Sequence, residues 1–285
     1  MTTTAISPTK APTELSAAWT NWHAAREQTL AGEHGWLSLV GFHWLPATPT
    51  SFASLPGRWS YDDGRAVLAA DVADGLVLAS GPQQGVAVDS VVTASVAEAG
   101  SLLWVQDGDV VVELLLRGGR YAIRLRDPGA PERSAFAGVP AFPVDPSWIR
   151  PGHFTAYPET RRITVETARS DLRQQVTAVG TVQVEIGGQQ HSLVATAGQG
   201  GRLNLSFTDR TSGRQTAPWR VVSTSIPSEK GSLVVDFNRT VNLPFVFTEF
   251  GTCPAPVAGN AVPAAVTAGE QAPIRVTGIG AGAQP

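Results

Sequence analysis

The sequence predicts a mainly β protein, an antiparallel barrel or a pair of sandwich-like sheets with one N-terminal helix. Three observations carry this. Apolar residues alternate with polar ones in about a dozen short runs after Gly35. Glycines punctuate those runs at hairpin positions, where tight turns need positive φ. No strand–helix–strand alternation occurs, which excludes a doubly wound parallel sheet.

Residues 1–12 are rich in Thr, Pro and Ala and read as a disordered tail. From Thr13 the period becomes helical: Leu15, Ala18, Trp19, Trp22, Arg26 and Leu30 share one face. Thr13 is the expected N-cap and Gly32 the expected C-terminal stop, giving a helix over 13–31. Its two tryptophans need a sheet or a pocket rim to cover. Strands are expected at 66–72, 76–80, 86–97, 102–106, 110–116 and 121–126. Six more follow at 163–168, 176–186, 192–197, 203–207, 219–223 and 233–237. Gly64, Gly75, Gly108, Gly118-Gly119 and Gly187-Gly188 supply the turns.

Residues 127–162 break this rhythm. They hold seven of the 21 prolines, with Phe136, Phe142, Trp148, Phe154 and Tyr157 among them. Prolines restrict the unfolded chain and aromatics need a surface to pack on. This crossover is therefore tethered, either as a connector between β halves or as a cap over a pocket. The stretch from Cys253 onward, rich in Pro, Ala and Gly, reads as an extended strap, and 278–285 as a disordered end. The organisation expected is one β-rich domain over 13–277.

Composition narrows the function. The 285 residues carry 21 Lys and Arg against 24 Asp and Glu, a net charge of −3, and only 16% are charged. A nucleic-acid partner would call for a clustered basic face, and none is expected. No run approaches the ~20 apolar residues of a membrane helix, and no secretory leader is visible. A single cysteine, Cys253, fits a reducing compartment. The expectation is a cytoplasmic protein with a small-molecule partner.

Four segments carry a resemblance. They are Gly35-Trp36-Leu37-Ser38-Leu39-Val40-Gly41-Phe42-His43-Trp44-Leu45; then Arg124-Leu125-Arg126-Asp127 with Phe136-Ala137-Gly138 and Phe142-Pro143-Val144-Asp145; then Phe207-Thr208-Asp209-Arg210-Thr211-Ser212-Gly213; and last Asp236-Phe237-Asn238-Arg239 with Thr252-Cys253-Pro254-Ala255-Pro256, Asn260 and Ala268-Gly269-Glu270. Over about residues 19–270 the chain resembles a bacterial and archaeal family known only as domain of unknown function 1684. The resemblance implies a β-rich fold and no activity. It also marks two departures: Val241 stands where the family has tyrosine, and Phe245 where it has cysteine. With a phenol and a thiol replaced by apolar groups, either a chemistry of the relatives is lost or changed here, or the pocket is greasier and its substrate apolar.

Asp236, Asn238 and Asn242 head the candidates for chemistry. Asp236 and Asn238 share one strand face, where a carboxylate and an amide can act as general base and hydrogen-bond donor. Such residues also commonly cap turns, or pair with Arg239 or Arg126. Glu249 and His43 complete the catalytic candidates. Arg124 and Arg126 share a strand face and could fork around a carboxylate or phosphate; the plain alternative is a salt-bridge lattice with Asp127, Glu132 and Asp145. Trp36, Trp44, Asn242, Phe245 and Phe247 are the other expected pocket residues. Asp209-x-Thr211-x-Gly213 reads as a turn rather than a cation loop. The five histidines form no close metal pair. There is no Gly-x-Ser-x-Gly elbow, no Walker motif and no dinucleotide loop in strand–helix context.

No metal or cofactor is therefore expected, though a flavin in a β pocket needs no motif. The reading is a cofactor-independent enzyme acting on a small, largely apolar molecule, by acid/base-assisted cyclisation, isomerisation or elimination. The alternatives are a noncatalytic small-molecule binder and a structural β module.

Overall fold

The computed structural model describes residues 12–273. The expectations for residues 1–11 and 274–285 lie outside them. Helix α1 spans Pro12–Leu30, and proline suits its first turn. Leu15, Ala18, Trp19, Trp22, His23, Arg26, Glu27 and Leu30 are its sheltered face. The glycine that matters after it is Gly35 rather than Gly32. A Cβ on Gly35 would stand 2.5 Å from the Leu30 carbonyl oxygen, so only glycine lets the chain turn back there.

The β structure forms three antiparallel sheets. In the first, β1 (Leu39–Trp44), β9 (Arg120–Arg126), β8 (Val110–Arg117), β7 (Ser101–Asp107) and β5 (Val77–Leu78) lie side by side in that order. The second orders β2 (Thr50–Phe52), β3 (Leu55–Asp62), β4 (Arg65–Ala69) and β6 (Val91–Ala94). These two face each other as a sandwich around Trp59, Leu68, Trp104, Val112, Leu114, Ile123 and Leu125. Trp59 and Trp104 meet edge to face, with ring centres 5.5 Å apart.

The third sheet orders β15 (Ser232–Asp236), β10 (Ile149–Glu166), β11 (Arg173–Ile186), β12 (Gln189–Ala197), β13 (Leu203–Phe207), β14 (Arg220–Ser223) and β16 (Val241–Asn242). It curls around Val182, Leu193, Leu205, Phe207, Leu233 and Phe237, and the strap adds Val262, Val266 and Ala268 to that core. The Ser225 N–H donates to the Val234 carbonyl at 2.8 Å, drawing the chain after β14 towards β15. The sheet thus approaches closure without becoming a barrel, and its interior is filled by side chains.

The end of the expected crossover, residues 149–162, is strand. β10 begins at Ile149, and its prolines sit where the ladder tolerates them. Pro151 precedes the first residue paired with β11, and Pro158 falls between Ala156 and Arg161, where the register shifts. The remainder caps the molecule. It enters a short helix, α2 (Pro131–Ser134), then runs past α1 alongside the strap. There Phe142 N–H donates to the Gly269 carbonyl at 3.0 Å and Gln271 N–H to the Pro140 carbonyl at 2.7 Å.

Candidate functional site

A cleft of about 640 Å³ lies between α1 and this crossover. The helix contributes Ser16, Trp19, Thr20, His23 and Glu27 to it; the crossover contributes an apolar wall from Val139 to Val144. One wall is thus polar and the other greasy, as in many small-molecule sites.

Three ionisable groups stand in series at this place. The Glu27 carboxylate is partly exposed; its Oε1 accepts from the Val139 N–H at 2.7 Å and lies 3.6 Å from His23 Nδ1. The His23 ring is about nine-tenths buried and stacks on Trp19 at 4.6 Å. Its Nε2 has no hydrogen-bond partner and points towards Glu270, whose Oε1 is 4.0 Å away. Glu270 is fully buried, with its Oε2 accepting from Asn242 N–H at 2.6 Å and its Oε1 from Arg26 Nε at 3.2 Å. Burial pushes the Glu270 carboxyl above its ordinary range, outweighing the pull of Arg26. A carboxylate, an imidazole and a second carboxylate therefore run from the cleft into the interior.

Gly138 shapes this place. Its φ is +100°, and a Cβ there would stand 2.9 Å from Glu27 Oε1. Only glycine combines that backbone with so close an approach.

The residues singled out from sequence fall into three groups. The first supports the cleft from behind. Asp236 caps the turn after β15, its Oδ1 accepting from Asn238 N–H at 3.1 Å and Asn238 Nδ2 at 3.0 Å, and it faces Arg239 at 3.5 Å. Buried Asn238 clamps the crossover: its Oδ1 accepts from Asp145 N–H and its Nδ2 donates to the Asp145 carbonyl. The Asn238 carbonyl accepts from Trp19 Nε1 at 2.6 Å, which seats the ring that stacks on His23. Asn242 holds Glu270 through its N–H and the strap through Nδ2, which donates to the Gln271 carbonyl.

The second group sits in the seam between the first sheet and the C-terminal half. Arg124 and Arg126 converge on Glu113, not on Asp127, Glu132 or Asp145. Arg124 Nη2 reaches Glu113 Oε1 at 2.8 Å, and Arg126 Nη2 reaches Oε2 at 2.6 Å. Burial raises Glu113, yet the two guanidiniums outweigh it and hold the carboxyl low. Trp36 covers both arginines, its ring centre 4.8 and 5.2 Å from their guanidinium carbons. Phe247 packs beside Leu30, Leu37 and Val139. Cys253 is buried, and desolvation pushes its thiol up to about 11.

The third group is dispersed. His43 stacks on Phe52 at 4.3 Å, and burial lowers its basicity. Trp44 donates from Nε1 to Asp171 Oδ2 at 2.8 Å and lies beneath Arg120. Phe245 stacks on Trp219 at 4.1 Å. Phe245 and exposed Glu249 line a second cleft, of about 590 Å³, on another side of the strap. The Asp209 turn forms, with Thr211 N–H donating to Oδ1 at 2.6 Å, and the same carboxylate meets buried Arg220 at 2.9 Å.

Among the described residues no three His, Cys, Asp or Glu side chains form a metal-holding group. No helix among them is long and apolar enough to cross a membrane. The sequence profile of the family described as "Protein of unknown function (DUF1684)" matches residues 134–271. Over this stretch the chain is similar to that family. The matched DUF1684 region includes the crossover wall of the cleft, Asn238, Asn242 and Glu270, while Trp19, His23 and Glu27 precede it. A solution NMR structure of an uncharacterised protein from gene locus rrnAC0354 of Haloarcula marismortui is 25% identical. That likeness covers 51% of this chain and 82% of that one, with a TM-score of 0.42. No curated protein matches the chain.

Proposed function

We propose that the protein binds a small, largely apolar molecule in the cleft between α1 and the crossover and moves a proton on it. Glu27 is the accessible acid/base group. Its Oε1 is fixed by the Val139 N–H, which leaves Oε2 to meet the ligand. His23 stands behind as the relay, and buried Glu270 as the proton reservoir. The series of carboxylate, imidazole and carboxylate at a cleft with one apolar wall carries this reading.

Such a site suits isomerisation, elimination or cyclisation. Each begins with removal of a proton from a carbon or oxygen that a neighbouring group has made acidic. Glu27 would accept that proton at Oε2, and the wall from Val139 to Val144 would exclude water from the reacting atoms. The same wall also suits a carrier that binds without turnover.

One assay separates the two. The protein is incubated in D₂O with a panel of small carbonyl compounds, and deuterium uptake at carbon is read by mass spectrometry. Exchange by the wild type, lost in Glu27→Gln with binding retained, is the expected result. Binding without exchange would leave a carrier; neither binding nor exchange across the panel would remove this reading.

A further inference from the structure

We infer that the seam beneath Trp36 holds a small monovalent anion on the free edge of Arg124. This site is separate from the cleft and does not depend on the function proposed for it. The Arg124 side chain is 1% exposed. Nη2 bonds Glu113, while Nε and Nη1 have no hydrogen-bond partner. A guanidinium taken from water with two unanswered nitrogens is costly, and buried polar groups in folded proteins are almost always satisfied.

The surrounding charges do not balance. Arg126 spends Nε and Nη2 on Glu113 Oε2 and gives Nη1 to the His34 and Gly35 carbonyls. Arg117, which feels the Arg124 charge, gives Nη1 to the Gly100 and Leu116 carbonyls and Nε to Thr252 Oγ1. The carboxylates within reach of these three cations are Glu113 and, beside Arg117, Glu98, whose oxygens also accept from the Gly118 and Gly119 N–H groups. Three cations against two carboxylates leave one positive charge. Cys253, which feels Arg124 and Arg117, does not cancel it, because desolvation keeps that thiol protonated at neutral pH. Burial pulls both Arg117 and Arg126 below their ordinary values, and the Arg124 charge pulls them the same way against Glu113.

A water molecule would answer the free nitrogens but leave the charge. A monovalent anion answers both. Trp36 closes one face of the guanidinium, and neither cleft reaches Arg124. With the Arg124 side chain 1% exposed, the anion inferred is the most compact kind, a halide, rather than a carboxylate or phosphate ester.

The test uses the full chain. Crystals grown in bromide are measured at the bromine edge, and melting is compared in chloride and gluconate at equal ionic strength. The expected results are an anomalous peak within hydrogen-bonding reach of Arg124 Nε or Nη1, and a higher melting temperature in chloride. Arg124→Met should lose the chloride dependence; if that variant does not fold, the wild-type bromide peak alone decides. Formate in place of chloride should not reproduce the stabilisation. A bare or water-filled edge in bromide, with equal melting in both salts, would overturn the inference.

Discussion

Asn238 shows how one side chain can serve a site it does not enter. Its amide clamps the Asp145 backbone and takes the Asp236 cap, while its carbonyl seats Trp19. Removing the amide leaves buried groups unpaired, so Asn238→Ala should cost about 3 kcal/mol in urea unfolding. Its effect on a reaction in the cleft should be larger than its distance from Glu27 suggests. Glu113 is the counterpart in the seam. Glu113→Ala leaves two buried guanidiniums without their carboxylate and should cost about 3–5 kcal/mol. Because the folded state holds Glu113 below 4.5, its contribution is present above that pH and is lost on acidification below it. Cys253 behaves in the opposite sense. With the thiol at about 11 when folded and 9.0 when unfolded, the unfolded chain ionises first as pH rises. Stability should fall above pH 9, by about 2 kcal/mol once pH reaches 11. Alkylation at pH 8 should be slow in the native protein and fast in urea; rapid native labelling would contradict the buried placement.

Among the elements, the helix was the most legible and the most deceptive. Leu15, Trp19, Trp22 and Leu30 announced its buried stripe. His23 and Glu27 lie on that same stripe, four and eight residues after Trp19, and ionisable groups on a face meant for burial were the available signal. Glu113 gave a similar one, as a lone charge within the apolar run 110–116. The crossover was legible as tethered, since its prolines and aromatics required a surface. Its end was not legible as strand. Pro151 and Pro158 argue against a central strand until pairing shows Pro151 facing β15 alone and Pro158 at a register shift. The β-rich class followed from turn glycines and alternation, both local. The cleft did not, because α1, the crossover and Glu270 meet only through long-range packing. At this scale Gly138 is the sharpest probe. Gly138→Ala should push the Glu27 carboxylate aside and lower any exchange activity at least tenfold, since a base must sit within hydrogen-bonding reach of its proton. Unchanged activity would separate the crossover from the site.

At the scale of the whole molecule, the motifs that resemble one family gather where separate layers are fastened together. Trp36, Arg124 and Cys253 occupy the seam; Asn238, Asn242 and Glu270 tie sheet, strap, crossover and helix. Glu270 makes that fastening sensitive to pH. Its folded carboxyl holds a proton more tightly than the unfolded one, so ionised Glu270 carries a burial cost above its folded pKa. Falling pH relieves that cost. The stability of the wild type relative to Glu270→Gln should therefore rise from pH 7 towards pH 4.5 and level off below it. A relative fall would mean that Arg26 dominates the site instead.

The central claim is that the cleft between α1 and the crossover receives the ligand. Its most direct test is an NMR titration of the isotopically labelled full chain with a library of small apolar compounds. Amide shifts are expected to concentrate on Trp19, Thr20, His23, Glu27 and residues 139–144, and to vanish for Trp19→Ala. Shifts gathered instead around Phe245 and Glu249, or spread without focus, would contradict it.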